Sequence, residues 1–194
     1  MRPEDLSAAV LAGGFSRRMG SCKAELVLEG KTLAERQTDK LRQLGIRDVM
    51  LSGYGRALPG CRNVTDVWPH RGPLSGIHAC LLAAVNPACL VVSVDAPLVP
   101  PEALRKLIEA HPEEGKASIT ALVHGERTEP LIAVYDCALS PMAEQLLLSE
   151  KTAIMRLLDA CPVQRIPWEG DEFLLSNCNT PEEYARILSL RPTI

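Results

Sequence analysis

Short β-rich runs alternate with longer stretches of helical spacing, and this alternation restricts the fold more than any other feature of the chain. The runs cover residues 8–11, 49–51, 90–94, 119–123, 131–135 and 163–166, and the helical stretches cover 32–44, 74–85, 101–110, 138–148, 152–158 and 181–190. Strands separated by helices pair in parallel through crossovers. The pattern therefore predicts an α/β fold of three α/β/α layers, with a mostly parallel, doubly wound sheet. Residues 90–94, nearly continuous in apolar side chains, read as a central strand. Residues 118–135 differ: two strand-like runs are joined by a Gly-bearing segment, His124 to Pro130, which reads as an antiparallel hairpin with a long loop. On the first long helix, Leu33, Leu41 and Leu44 form the apolar face, Arg36, Gln37 and Lys40 are polar, and Gly45 supplies the C-cap. Ligands of such sheets bind beyond the carboxyl ends of the strands.

Size and composition bound the rest. A chain of 194 residues without repeat, low-complexity tract or Gly/Ser linker suits one domain, residues 1–194. A net charge of -3 gives no general electrostatic reason to bind nucleic acid or an anionic membrane. No run approaches the ~20 apolar residues that span a bilayer, and the acidic start of the chain does not suit a signal peptide. The seven cysteines form no CxxC pair and no zinc-like spacing with the four histidines, so a reducing cytoplasm is the expected compartment.

The segment after the first strand carries the strongest chemical signal. Leu11 and Ala12 lead into Gly13-Gly14, followed by Arg17, Arg18 and Lys23, three cations within seven residues. Adjacent glycines let backbone N–H groups approach a ligand, and Arg and Lys side chains complete a polyphosphate site. A glycine turn beside a solvated basic surface is the plainer reading, and the first-strand position with three cations favours phosphate. The segment matches neither a Walker A loop nor a Gly-x-Gly-x-x-Gly fingerprint.

Three further places invite a ligand. Asp95 follows the most apolar run, with Pro97 ending the pairing. It is placed either to hold Mg²⁺, an ion that takes one or two carboxylates with substrate phosphates and waters, or to cap the turn before Pro101. Gly72-Pro73-Leu74-Ser75-Gly76 opens a helix whose first amides can receive an anion, though Pro73 at N1 and a packing role for Gly76 also explain it. Asn177 and Asn179 fall on one side of an extended segment. The following Thr180-Pro181-Glu182-Glu183 reads as a capping box, which accounts for Thr180 and Glu183 but not for the asparagines. Trp68 and Trp168 offer stacking surfaces, but near Pro such residues are more often packing.

The run from Leu11 to Gly20 with Lys23, together with Asp66, Gly72–Gly76, Val94 to Pro100 and Asn177 to Glu183, resembles the molybdenum cofactor guanylyltransferase family in order and spacing over most of the chain. The resemblance implies a nucleotide-diphospho-sugar-transferase-like fold. The implied reaction transfers GMP from GTP to the phosphate of molybdopterin or Mo-molybdopterin, forming the guanine dinucleotide and releasing pyrophosphate. It implies Arg18, Lys23 and Asp95 as catalytic residues, Asp95 as the Mg²⁺ ligand, and Leu11, Ala12, Gly13, Gly14, Lys23, Ser52, Asp66, Gly72, Gly76 and Asp95 around the nucleotide. Asn177 and Asn179 fall on the acceptor side, and the Arg127–Glu129 region forms a wall of the acceptor pocket. The N-terminal half would serve mainly the nucleotide and the C-terminal half the acceptor. The protein is expected to be a monomer, meeting proteins that deliver molybdopterin or mature molybdoenzymes.

Two positions depart from the family pattern: Cys22 stands where Asp usually precedes the lysine, and Ser52 where Asn is common. An alkylation-sensitive Cys22 that GTP shields, and one altered nucleoside contact, are expected. Gly13, where cytidylyl-transferring relatives tend to have Ala, points to GTP through a missing methyl that gives a purine room. The alternatives are a cytidylyltransferase, another sugar-phosphate nucleotidylyltransferase, and a catalytically inactive nucleotide-binding protein.

Overall fold

A computed structural model describes residues 1–13, 22–113 and 117–189. In chain order the elements are β1 (Ser7–Leu11), β2 (Val27–Leu28), β3 (Lys31–Thr32), α1 (Leu33–Gln43), β4 (Asp48–Ser52), β5 (Arg62–Val64), α2 (Pro73–Ala83), β6 (Ala88–Ser93), α3 (Pro101–Ala110), β7 (Ile119–His124), β8 (Arg127–Asp136), α4 (Ser140–Leu148), α5 (Met155–Ala160), β9 (Val163–Pro167) and α6 (Pro181–Ser189). Among the described residues, seven strands form one sheet in the order β5-β4-β1-β6-β8-β7-β9, and β2 and β3 form a separate ribbon. Only β8 runs against its neighbours; the other pairs in the large sheet are parallel.

Alternation along the strands builds two cores. Ala8 and Val10 of β1, with Leu90 and Val92 of β6, face the side packed by Leu33, Leu41, Leu104, Leu107 and Ile187. Ala9 and Leu11, with Cys89 and Val91, face the side packed by Leu74, Ile77, Leu81, Leu147 and Leu157. Successive side chains of a strand point to opposite faces, so strands buried on both sides run nearly continuously apolar, as β6 does from Ala88 to Val92 before ending at Ser93. The expected three layers are present. No helix of the described residues is long and apolar enough to cross a membrane.

Local signals explain most element boundaries. Thr32 and Glu35 close a capping box at the start of α1: Glu35 N–H donates to Thr32 Oγ1 (3.2 Å) and Thr32 N–H to Glu35 Oε2 (2.7 Å). At its end Gly45, with φ +98°, donates to Arg42 O, and Ile46 donates to Leu41 O, a Schellman pair that bears out Gly45 as the terminator. The hairpin expectation holds, but its loop is short. Gly125-Glu126 makes a two-residue turn with Gly125 at φ +56°, so β8 already begins at Arg127. The length that read as loop is strand interrupted by a register shift between Ala121 and Leu122. The sequence reading passed over β5, because Arg62-Asn63-Val64 is a short, largely exposed edge strand without an apolar run. Polar Gln37 and Thr38 of α1 are buried rather than solvated.

Candidate active site

The parallel strands β4, β1 and β6 end side by side, so three loops emerge at one edge. The ladder continues past the strands: Ala12 N–H donates to Ser52 O (2.9 Å) and Val94 N–H to Leu11 O (3.1 Å). At this level the chains after β1 and β4 touch through two glycines. A Cβ on Gly13 would lie 3.2 Å from Gly53 Cα, and one on Gly53 would lie 2.5 Å from Gly13 Cα. Gly53 also has φ +72°, a backbone state that side chains resist. The site reading missed Gly53, and the signal available was its place directly after β4. The methyl absent from Gly13 would therefore press on Gly53, so the space it would fill belongs to the neighbouring loop.

A second group gathers at the N-terminus of α2. Ser52 Oγ donates to Asp66 Oδ1 (3.1 Å), and both sit over Gly76 with the Leu11 side chain. A Cβ on Gly76 would be 2.7 Å from Ser52 Oγ and 3.3 Å from Leu11 Cδ2. Four residues expected around the nucleotide, Leu11, Ser52, Asp66 and Gly76, are thus brought together from four separate segments. Gly72 precedes the helix with φ +75° and open space where a side chain would stand, and Pro73 takes N1.

The third group is electrostatic. Lys23, in a short 3₁₀ turn after the first loop, reaches Asp95 and Asn179 with one ammonium. Its Nζ is 3.0 Å from Asp95 Oδ2 and donates to Asn179 Oδ1 at 2.6 Å. The Lys23 side chain is 14% exposed and that of Asp95 30%, so the pair is shielded yet still open on one side. Cys178 N–H donates to Asp95 O (2.6 Å), which pins the asparagine segment to the turn after β6. Glu183 Oε2 accepts from the N–H groups of Asn179 and Thr180, and Thr180 Oγ1 accepts from Glu183 N–H, so the expected capping box holds Asn179 at the start of α6. Cys22, next to Lys23, is half-buried against the apolar core. Gly14 and Arg18 lie outside the described residues.

Asn177 and Asn179 both line a cleft of about 430 Å³, with Arg127 and Glu129 on the β7–β8 side and Phe173 and Arg186 on the opposite side. Arg127 Nε lies 2.8 Å from Glu129 Oε1. Burial raises the Glu129 pKa above its usual value, with Arg127 and His124 opposing the shift. The Arg186 guanidinium stacks 4.8 Å over the Phe173 ring. His124 lines the same cleft, with Nε2 3.3 Å from Glu172 Oε2. Sequence reasoning named Arg127 and Glu129 but missed His124, Phe173 and Arg186, which no motif connects. Neither tryptophan lines the cleft. Trp168 is buried and donates to Asp171 O (3.0 Å), and Trp68 lies partly buried against the second core beneath Arg71.

Comparison with known proteins gives a consistent answer. The family described as "MobA-like NTP transferase domain" matches residues 8–165. The chain is 31% identical over 195 residues to a probable molybdenum cofactor guanylyltransferase of Carboxydothermus hydrogenoformans, covering 96% of this chain and 97% of that protein. It is also 31% identical over 192 residues to the molybdenum cofactor guanylyltransferase of Xanthomonas euvesicatoria pv. vesicatoria, covering 96% of each. Among solved structures, molybdopterin-guanine dinucleotide biosynthesis protein A from Archaeoglobus fulgidus superposes with a TM-score of 0.75 at 28% identity, over 93% of this chain and 96% of that one. With the glycine crossing, the residues around Gly76 and the Lys23–Asp95 pair all at one sheet edge, the chain belongs to the MobA-like nucleotidyltransferases, in the molybdenum cofactor guanylyltransferase family.

Proposed function

We propose that this protein transfers GMP from GTP to the terminal phosphate of molybdopterin or Mo-molybdopterin, and that residues 1–194 form one domain with the nucleotide on the N-terminal side and the acceptor on the C-terminal side. The observation that carries this reading is the contact of Lys23 with both Asp95 and Asn179, which joins the loop after β1, the turn after β6 and the approach to α6. An acceptor-phosphate oxygen attacks the α-phosphorus of GTP. The bond from that phosphorus to the bridging oxygen breaks, and pyrophosphate leaves with the electron pair. A phosphate nucleophile is already anionic near neutral pH, so no general base is required. The obstacle is the approach of two polyanions and the charge developing on the leaving group.

Lys23 meets that charge from a fixed, shielded position. Leu11, Ala12, Gly13, Ser52, Asp66, Gly72 and Gly76 form the nucleoside side, where Asp66 keeps one oxygen on Ser52 and its second for the nucleotide. Gly14 and Arg18 are assigned to the phosphates by the family resemblance. Asn177 and Asn179, on the wall shared with the cleft, face the acceptor.

Mg²⁺ fits the donors present. Among the described residues no group of three or more His, Cys, Asp or Glu could hold a metal on its own. Asp95 supplies a hard carboxylate oxygen of the kind that this ion combines with substrate phosphates and waters, and Asn179 Oδ1 shares the Lys23 ammonium with it. Asp95 would hold it, and when bound the ion neutralises phosphate charge. Pyrophosphate release measured with GTP, CTP and ATP, each with and without molybdopterin, tests the reading; GTP with molybdopterin should be fastest. Asp95→Ala should fold normally and lose roughly a hundred- to a thousandfold in turnover, the cost of one such electrostatic contact. Near-wild-type turnover from that variant would reject the assignment.

A further inference from the structure

The turn that carries Asp95 is held from behind by a buried amide. Gln37, on α1, is 1% exposed. Its Nε2 donates to Ser93 O (2.8 Å) and to Ala96 O (2.9 Å), the carbonyls on either side of the Val94-Asp95 step. Those same carbonyls accept the turn's own bonds, from Ala96 N–H and Val99 N–H. Lys40, one helical turn further on, donates to Gln37 Oε1 (2.9 Å) and to Pro97 O (3.2 Å). A buried amide without partners costs free energy, and an apolar side chain would pack against this core more cheaply. Every side-chain hydrogen bond of Gln37 among the described residues ends on the Asp95 turn or on Lys40.

We propose that Gln37 and Lys40 are positioning residues for Asp95, forming a clamp from α1 that fixes the turn at the height where its carboxylate meets Lys23 and the incoming metal–nucleotide. The inference rests on the guanylyltransferase reading for its consequence but not for its geometry. Clamping removes freedom that the carboxylate would otherwise lose on binding, so it acts on a step that a merely structural contact leaves untouched.

The test uses Gln37→Met, which keeps the length and apolar packing of the side chain, and Lys40→Met, which frees Gln37 Oε1 and Pro97 O but leaves both bonds from Gln37 Nε2 in place. Amide hydrogen exchange reads the clamp without activity. In Gln37→Met the amides of Asp95, Ala96 and Val99 should exchange about tenfold faster while those inside α1 keep wild-type rates, the effect of losing a buried hydrogen-bonded partner. The Mg²⁺ concentration for half-maximal thermal stabilisation by GTP should rise about tenfold and kcat fall comparably, with KM for GTP within about threefold. Lys40→Met should move each quantity in the same direction by less. Unchanged exchange at the turn, faster turn exchange with unaltered Mg²⁺ demand, or uniform acceleration across α1 would each overturn the clamp. A wild-type chain that shows no response to GTP with Mg²⁺ rejects the guanylyltransferase reading instead, whereas a responsive wild type beside a Gln37→Met variant with the same Mg²⁺ demand and turn exchange rejects the clamp alone.

Discussion

At the level of single residues, the site depends as much on side chains that are missing as on those that are present. Gly53 and Gly13 bring the loops after β4 and β1 into backbone contact, and no rotamer change can relieve an added Cβ at Gly53. Gly53→Ala should therefore cost about 2–5 kcal/mol, combining a left-handed backbone penalty with overpacking, and urea unfolding would read it. A shift within 0.5 kcal/mol would mean that the loops are free to part. Gly76 is a milder case: its added Cβ would meet a hydroxyl that can rotate, at the expense of the Ser52–Asp66 hydrogen bond. Gly13 drew notice in the sequence because two adjacent glycines among cations are unusual. Gly53 was not, because one glycine after a strand has many ordinary uses, and only the neighbouring loop gives this one its purpose.

Among elements, α6 shows how a local signal serves a distant site. Its capping box was readable from Thr180 and Glu183 alone, yet the consequence lies outside the helix: the same Glu183 carboxylate takes the backbone N–H of Asn179, whose side chain receives Lys23. Tyr184 extends the connection by donating from its hydroxyl to Val27 O (2.5 Å), linking α6 to the β2–β3 ribbon. Thr180→Ala should destabilise the protein by about 1 kcal/mol, as loss of an N-cap usually does. Amide exchange should quicken first at Glu183, where the hydroxyl is lost, while β6 remains protected. If β6 opened together with α6, the helix would be part of the central folding unit rather than a docked flank. The sequence reading of a helix from residue 181 was sound as far as Ser189, and residue 190 lies outside the described residues. Which residues α6 would present to the cleft, Arg186 among them, depended on its docking angle.

For the molecule as a whole, pH acts through groups hidden by the packing of α1. Burial, aided by Arg36, pulls the Lys40 pKa down from 10.5 to about 7. Below about pH 7 the lysine is protonated in both folded and unfolded chains, and the full penalty of burying its charge is present. As pH rises from 7 towards 10.5 only the unfolded chain keeps the proton, so folding is favoured progressively. The wild type should gain roughly 2 kcal/mol over Lys40→Met between pH 7 and 8.5, measured as the difference between paired urea titrations. Buried thiols act in the opposite sense at higher pH, burial having pushed Cys80 and Cys137 up to about 12, and comparison with the variant cancels them. A difference that does not change with pH would show Lys40 to be solvated.

By itself the sequence determined whatever depends on near neighbours along the chain: the α/β alternation, the apolar β6, the caps at Gly45 and Thr180, and the glycine and cation loop. These follow from periodicities of two and 3.6 residues and from turn chemistry, all of which act over a few positions. Tertiary structure alone decided that Gln37 points at the Asp95 turn, that His124 and Arg186 share one cleft, and that Lys23 meets an asparagine 156 residues away. Such contacts are set by the order of strands in the sheet and the faces on which helices dock, so the residues that make them carry no mark of each other in sequence.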